Sequence, residues 1–142
     1  MSTIVYLTRR ETFCASHRLH SDHFSPEENR ALYRQCNYDN GHGHNYILYV
    51  TVAGIPDPKT GMILHLDELK AIIRKEITDK LDHRHLNHDI PELAGVIPTG
   101  ENLVIHFWNW LEKALPTGLL YEIKLQETEN NTTSYRGPQR LA

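Results

Sequence analysis

Hydrophobic and polar residues alternate in four segments of the chain. An alternation with a period of two gives an extended backbone one apolar face, so each segment is predicted to be a β-strand. Within the third segment the alternation predicts that Tyr121 faces the core and that Leu120 faces outward. The four predicted strands are residues 3–16, 44–54, 119–128 and 132–137.

Two longer segments repeat their apolar residues with a helical period. Residues 67–81 and residues 99–116 are each predicted to form a long amphipathic helix, and Pro116 ends the second one. A short helix is predicted to start at Ser25, because Pro26 follows it and Glu28 completes a capping box.

The order of the long elements is strand, strand, helix, helix, strand, strand. This order predicts a single α+β domain over residues 1–142, in which two long helices cover one face of a four-stranded antiparallel sheet.

Composition narrows the classes of partner and location. The chain has 142 residues and a net charge of -3, so a basic nucleic-acid surface is not expected. It shows neither an apolar run of about 18 residues nor a signal peptide, which favours a cytoplasmic protein without a membrane partner. Its two cysteines are expected to be free thiols.

Ten histidines are unusual in a chain of this length and suggest a chemical role. His42 and His44 flank one glycine, so in a strand their imidazoles lie on the same face. If the first two strands pair, His17 lies on the face where it completes a three-histidine Zn²⁺ site with one open position. The alternative is that the two neighbouring histidines are ordinary polar residues at a strand start.

Three further positions carry candidate chemistry. Cys36 lies in a polar, turn-rich stretch and is a candidate base or nucleophile, with a zinc ligand or a buried apolar thiol as alternatives. Asp82 and His83 form a candidate proton-transfer pair, unless they belong to a solvated loop. Glu127 ends an apolar strand, where its carboxylate either binds an amidine-like edge, such as that of a pterin or guanine, or is a surface group.

Six short motifs occur together in one order along the chain. The pattern resembles the 6-pyruvoyl-tetrahydropterin synthase family across nearly the whole sequence. This resemblance implies the tunnelling fold, with subunits assembled through their sheets into a trimer and two trimers stacked as a homohexamer. The motifs are FCASHRL, CNYDNGHGHNY, DPKTGM, LDHRHLN, PTGEN and QETENN.

The resemblance also implies a role for each matching residue. It implies that Cys36 is the general base, that Asp82 and His83 relay protons, and that Glu127 anchors a pterin ring with the help of Thr99. The implied substrate is 7,8-dihydroneopterin triphosphate, which loses triphosphate and rearranges without an external redox cofactor. The implied zinc ligands are His17, His42 and His44.

Two departures and several alternatives remain. Gly100 stands where family members often have a second hydroxyl residue, and Cys14 stands where serine is common. The spacing of five residues between Cys36 and His42 resembles that of the biopterin-pathway enzyme, and this resemblance favours a pyruvoyl product over that of the related 6-carboxy-tetrahydropterin synthase of deazapurine biosynthesis, which typically has three. A zinc hydrolase and a non-catalytic zinc- or pterin-binding module are further alternatives.

Overall fold

A five-stranded sheet organises the computed structural model, which describes residues 3–138. The spatial order of the strands is β3-β1-β2-β4-β5, and all neighbours are antiparallel except β3, which runs parallel to β1. The α+β class is confirmed. The strands are β1 (Val5–His17), β2 (His42–Gly54), β3 (Arg84–His85), β4 (Leu120–Thr128) and β5 (Asn131–Tyr135).

The prediction of four strands missed β3. This strand has only two residues, and it pairs with Ala15 and Ser16 at the outer edge of β1. A two-residue strand has no periodicity that a sequence could display, because its existence depends on the edge of the sheet beside it.

The helices lie in the three segments where they were predicted. They are α1 (Pro26–Tyr33), α2 (Leu66–Ile73), α3 (Asp79–Leu81) and α4 (Gly100–Ala114). The capping box at the start of α1 is present, with both reciprocal hydrogen bonds between Ser25 and Glu28. Within residues 3–138, none of these helices has the length and apolar character needed to cross a membrane.

A π-helical turn, Arg74–Thr78, joins α2 to α3 and was not predicted. The fully buried residues of this helical segment are spaced by four, whereas an ideal α-helix turns about 40° too far in four residues. A wider π turn corrects this drift and keeps the later residues on the core face. The residues concerned are Leu69, Ile73, Ile77 and Leu81.

One face of the sheet packs against the helices and forms a continuous hydrophobic core. Phe13 of β1 stacks on Tyr46 of β2, with ring centroids 4.8 Å apart, and contacts the ring of Phe107 in α4 edge-on. No helix within residues 3–138 lies over the other face of the sheet, and its Tyr6 side chain is 58% exposed. We call these the inner and outer faces.

The predicted orientation of the first two residues of β4 was wrong. Leu120 is buried in the core, and the Tyr121 ring lies 4.7 Å from that of Tyr6 on the outer face. The cause is a β-bulge: Thr51 pairs with Glu122 while Val52 pairs with Leu120, so Tyr121 has no partner. One extra residue reverses the alternation before it, and a single sequence does not reveal where a bulge falls.

Candidate metal centre and its surroundings

Three histidines converge at one end of the inner face. The register of β1 and β2 sets His17 directly opposite His42, and His44 lies two residues further along on the same face. The Nε2 atom of His42 lies 2.9 Å from that of His44 and 3.3 Å from that of His17. The structure therefore brings together the three side chains that the sequence proposed as ligands.

The orientation of the His17 ring is fixed from behind. Its Nδ1 atom donates to the carbonyl oxygen of Pro98, at 2.8 Å. Because a carbonyl only accepts, the proton resides on Nδ1 and the lone pair of Nε2 points at the other two histidines. Burial lowers the pKa of His17 and also that of His44, which is less deeply buried. Both side chains therefore favour the neutral form that binds metals.

Glu127 adds a carboxylate to the three imidazoles. Its Oε1 atom lies 3.0 Å from Nε2 of His44 and 3.6 Å from Nε2 of His17. Glu127 follows the buried Ile123 and Leu125 at the same two-residue spacing, which places its side chain on the inner face, and it lies at a second bulge, since Gln126 and Thr128 have partners in β5 and Glu127 has none. The sequence prediction considered Glu127 as a ring anchor and did not anticipate its contact with the histidines.

The four side chains fit a divalent cation. One ligand atom from each lies within 4.8 Å of all the others. Tetrahedral ligands bound at 2.0–2.2 Å are separated by about 3.4 Å, and the measured separations among these atoms bracket that value. Converging imidazole lone pairs repel one another unless a proton or cation lies between them, and the arrangement is one that could hold a metal ion. The three histidines supply enough ligands for an open site, with Glu127 beside it.

Cys36 lies in a tight turn (Arg34–Asn37) held against the segment that follows β1. The Leu19 N–H donates to the Cys36 carbonyl at 2.8 Å, and the buried Asn37 side chain donates to the Leu19 carbonyl at 2.7 Å. Burial raises the pKa of the Cys36 thiol, and the negative charge of Glu127 raises it further. The thiol is therefore within electrostatic reach of the metal centre, and a bound dication would lower its pKa.

Asp82 and His83 are not part of this cluster. The Cys14 N–H donates to Asp82 Oδ1 at 2.8 Å, and this hydrogen bond is the main cause of the lowered pKa of Asp82. The His83 Nδ1 atom lies 3.0 Å from Asp82 Oδ2, so the two form the predicted pair. They border a groove with Thr12 and Asn45, whose side chains lie on the outer face. Within a single chain, Asp82 and His83 are therefore separate from the three histidines.

Thr99 and Gly100 form the start of α4 beside the cluster. The Thr99 hydroxyl accepts a hydrogen bond from the Asn102 N–H at 3.2 Å and caps the helix. Gly100 is buried, and a Cβ atom at this position would lie 3.8 Å from Glu127 Oε2. The two oxygens of Glu127 therefore face different neighbours, the histidines on one side and the α4 N-terminus on the other.

Two supporting residues were missed by the sequence analysis. Tyr46 is fully buried beneath the histidines, with its hydroxyl 3.5 Å from His17 Nδ1, and burial raises its pKa. It continues the alternation of His42 and His44, which was the available signal. Asn37 directly follows Cys36 but gave no comparable signal, because its role depends on a contact with a distant segment.

Comparison with known proteins now decides the family. The family model described as 6-pyruvoyl tetrahydropterin synthase matches residues 6–138. The chain belongs to the 6-pyruvoyl tetrahydropterin synthase family. A Dictyostelium discoideum protein named 6-pyruvoyl tetrahydrobiopterin synthase is 49% identical over 137 residues, which cover 96% of this chain and 99% of that protein. A Homo sapiens protein of the same name is 47% identical and covers 92% of this chain and 90% of its own.

Comparison of the fold with solved structures supports the same family. The solved structure of Caenorhabditis elegans 6-pyruvoyl tetrahydropterin synthase has a TM-score of 0.92 and 36% identity, and covers 96% of this chain and 98% of that chain. The predictions of the 6-pyruvoyl tetrahydropterin synthase family and of a lyase are confirmed.

The lowered histidine pKa values predict how pH affects the metal-free protein. Below about pH 6.5 the unfolded chain binds protons that the folded site excludes, so the free energy of unfolding should fall as the pH falls. Urea unfolding of chelator-treated protein between about pH 5 and about pH 8 measures this slope. His17→Gln should make the slope shallower, whereas His23→Gln, at an exposed position, should leave it unchanged. An unaltered slope in His17→Gln would contradict the conclusion that the pKa of His17 is lowered in the folded protein.

Proposed function

We propose that this family member converts 7,8-dihydroneopterin triphosphate to 6-pyruvoyl-tetrahydropterin, with elimination of triphosphate, in a zinc-dependent reaction. His17, His42 and His44 would hold the Zn²⁺, an ion suited to neutral imidazole ligands in a tetrahedral arrangement. The convergence of their Nε2 atoms is the observation that carries this proposal. The free thiols of Cys14 and Cys36 are consistent with a cytoplasmic location.

Glu127 and Thr99 are the proposed contacts to the pterin ring. A carboxylate can accept two parallel hydrogen bonds from the ring N3–H and the 2-amino group, which orients the ring. Glu127 suits this role because its Oε2 atom faces the start of α4 while its Oε1 atom faces the histidines. A ring held there has its side chain directed toward the metal centre, and positioning of this kind lowers the barrier.

Cys36 is the proposed general base. As a thiolate it takes a carbon-bound proton from the substrate side chain, and protonation of the ring in return oxidises the side chain toward a diketone as it reduces the ring. The C–O bond to triphosphate then breaks, and triphosphate leaves with the bonding electrons. Zn²⁺ held by the three histidines would supply Lewis-acid stabilisation of negative charge on the side-chain oxygens. The raised pKa of Cys36 means that the metal-free protein holds mostly thiol at neutral pH.

A second copy of the chain is proposed to supply Asp82 and His83. Asp82 orients the His83 ring, which then relays protons on the substrate side chain. The pair lies on the outer face, away from the histidines of its own chain, and the His83 side chain is 82% exposed. The uncovered outer face supports the assembly that the resemblance implies, a trimer or a hexamer of stacked trimers.

The product decides between the main proposal and its alternatives. Incubation of zinc-loaded protein with 7,8-dihydroneopterin triphosphate, followed by mass spectrometry, should give 6-pyruvoyl-tetrahydropterin and triphosphate. Cys36→Ala should reduce the rate about 10²- to 10⁴-fold, the usual contribution of a general base, while Cys14→Ala should change it little. A carboxy product with acetaldehyde would identify the 6-carboxy-tetrahydropterin synthase reaction. Absence of triphosphate release would identify a binding module, and full activity of Cys36→Ala would favour a zinc hydrolase.

Mixing two inactive variants tests the shared site. Cys36→Ala and His83→Ala should each have strongly reduced activity alone. Co-refolded in equal amounts they should recover about a quarter of the wild-type activity, since a random assembly pairs two intact halves at that frequency. Activity is measured as triphosphate release per chain. Co-refolded Cys36→Ala and His42→Ala serve as the control, because both residues belong to the same half-site and no recovery is expected. No recovery in the Cys36→Ala and His83→Ala mixture, or equal recovery in both mixtures, would contradict the shared site.

A further inference from the structure

Thr133 occupies the space that a side chain at position 100 would need. A Cβ atom at Gly100 would lie 2.9 Å from Thr133 Oγ1 and 3.6 Å from Thr133 Cβ. The same point is 3.8 Å from Glu127 Oε2. The Thr133 hydroxyl and the Glu127 carboxylate therefore border one small space at the start of α4.

The sheet places this hydroxyl on the face that carries the metal centre. Thr133 pairs with Leu125, a core residue of β4, and is half-buried. Its neighbour Thr132 pairs with Gln126 and borders a groove on the outer face. Two adjacent threonines of β5 thus point to opposite sides of the sheet, and only Thr133 approaches Glu127.

The chemistry of the pterin edge calls for a donor beside the carboxylate. The N3–H and 2-amino donors that Glu127 would bind are flanked by acceptors on both sides, the 4-oxo group next to N3 and N1 next to the 2-amino group. A threonine hydroxyl can donate to either acceptor. Gly100 has no side chain and cannot supply such a hydroxyl.

We propose that the Thr133 hydroxyl is a further substrate-binding group, which hydrogen-bonds the pterin ring beside Glu127 and takes the place of the side chain that Gly100 lacks. This inference rests on the proposed function, in which Glu127 holds the ring. It assigns β5 a part in ring recognition in addition to its part in the sheet.

Binding of neopterin tests the proposal without turnover. Neopterin keeps the amidine edge but lacks the triphosphate, so its dissociation constant, measured by fluorescence titration of the zinc-loaded protein, reports ring recognition. Thr133→Val should weaken binding about 3- to 10-fold, the usual worth of one neutral hydrogen bond, and Thr133→Ser should retain the wild-type affinity. Thr132→Val is the matched control and should bind as the wild type does.

Moving the hydroxyl to position 100 separates hydrogen bonding from packing. In the wild type, Gly100→Ser should weaken binding, because its Cβ atom crowds the Thr133 hydroxyl. In the Thr133→Ala background the same change should strengthen binding, because the serine hydroxyl then borders Glu127. Gly100→Ala in that background restores bulk without a hydroxyl and should not strengthen binding.

The outcomes distinguish failure of this inference from failure of the proposed function. If wild-type protein binds neopterin and Glu127→Gln abolishes binding, but Thr133→Val binds as the wild type does, the role of Thr133 is wrong and ring recognition by Glu127 stands. Equal rescue by Gly100→Ala and Gly100→Ser would also overturn it, since packing would then suffice. If the wild type itself fails to bind neopterin, the proposed function and the inference both fail.

Discussion

The register between β1 and β2 is the constraint on which the site depends. It sets His17 opposite His42, and strand alternation then adds His44 on the same face. A slip of one residue would turn His42 and His44 to the outer face while His17 remained buried. The stacked rings of Phe13 and Tyr46 lie on the same inner face, so burial of the core and assembly of the three imidazoles are specified by one pairing.

Glu127 links this metal centre to the remainder of the site. A bulge leaves it without a partner in β5, and its two oxygens face the histidines and the start of α4. Its charge also raises the pKa of Cys36. A single carboxylate thus influences a proposed base, borders a proposed cation and faces a proposed ring site. A change in the position of Glu127 would therefore affect the proposed base, the proposed cation and the proposed ring site together.

The elements set by local pattern and by regular strand pairing were predictable, and the irregularities in pairing were not. The alternation in β1 and β2 and the capping box at Ser25 are properties of short segments, so they could be identified from the sequence. The bulges at Tyr121 and Glu127 depend on the partner strands. The three histidines could be grouped because strand geometry relates them, whereas the approach of Thr133 to Gly100 involves a helix and a strand distant in sequence.

The metal content of the protein is the most direct test of the account. Protein purified without chelators and analysed by inductively coupled plasma mass spectrometry should contain about one zinc per chain. His17→Gln should lose most of this metal, because it removes the ligand whose ring is fixed by Pro98, while His23→Gln should retain it. Wild-type protein without a stoichiometric divalent metal, or a His17→Gln variant that keeps its full content, would contradict the central claim that these three imidazoles hold the ion.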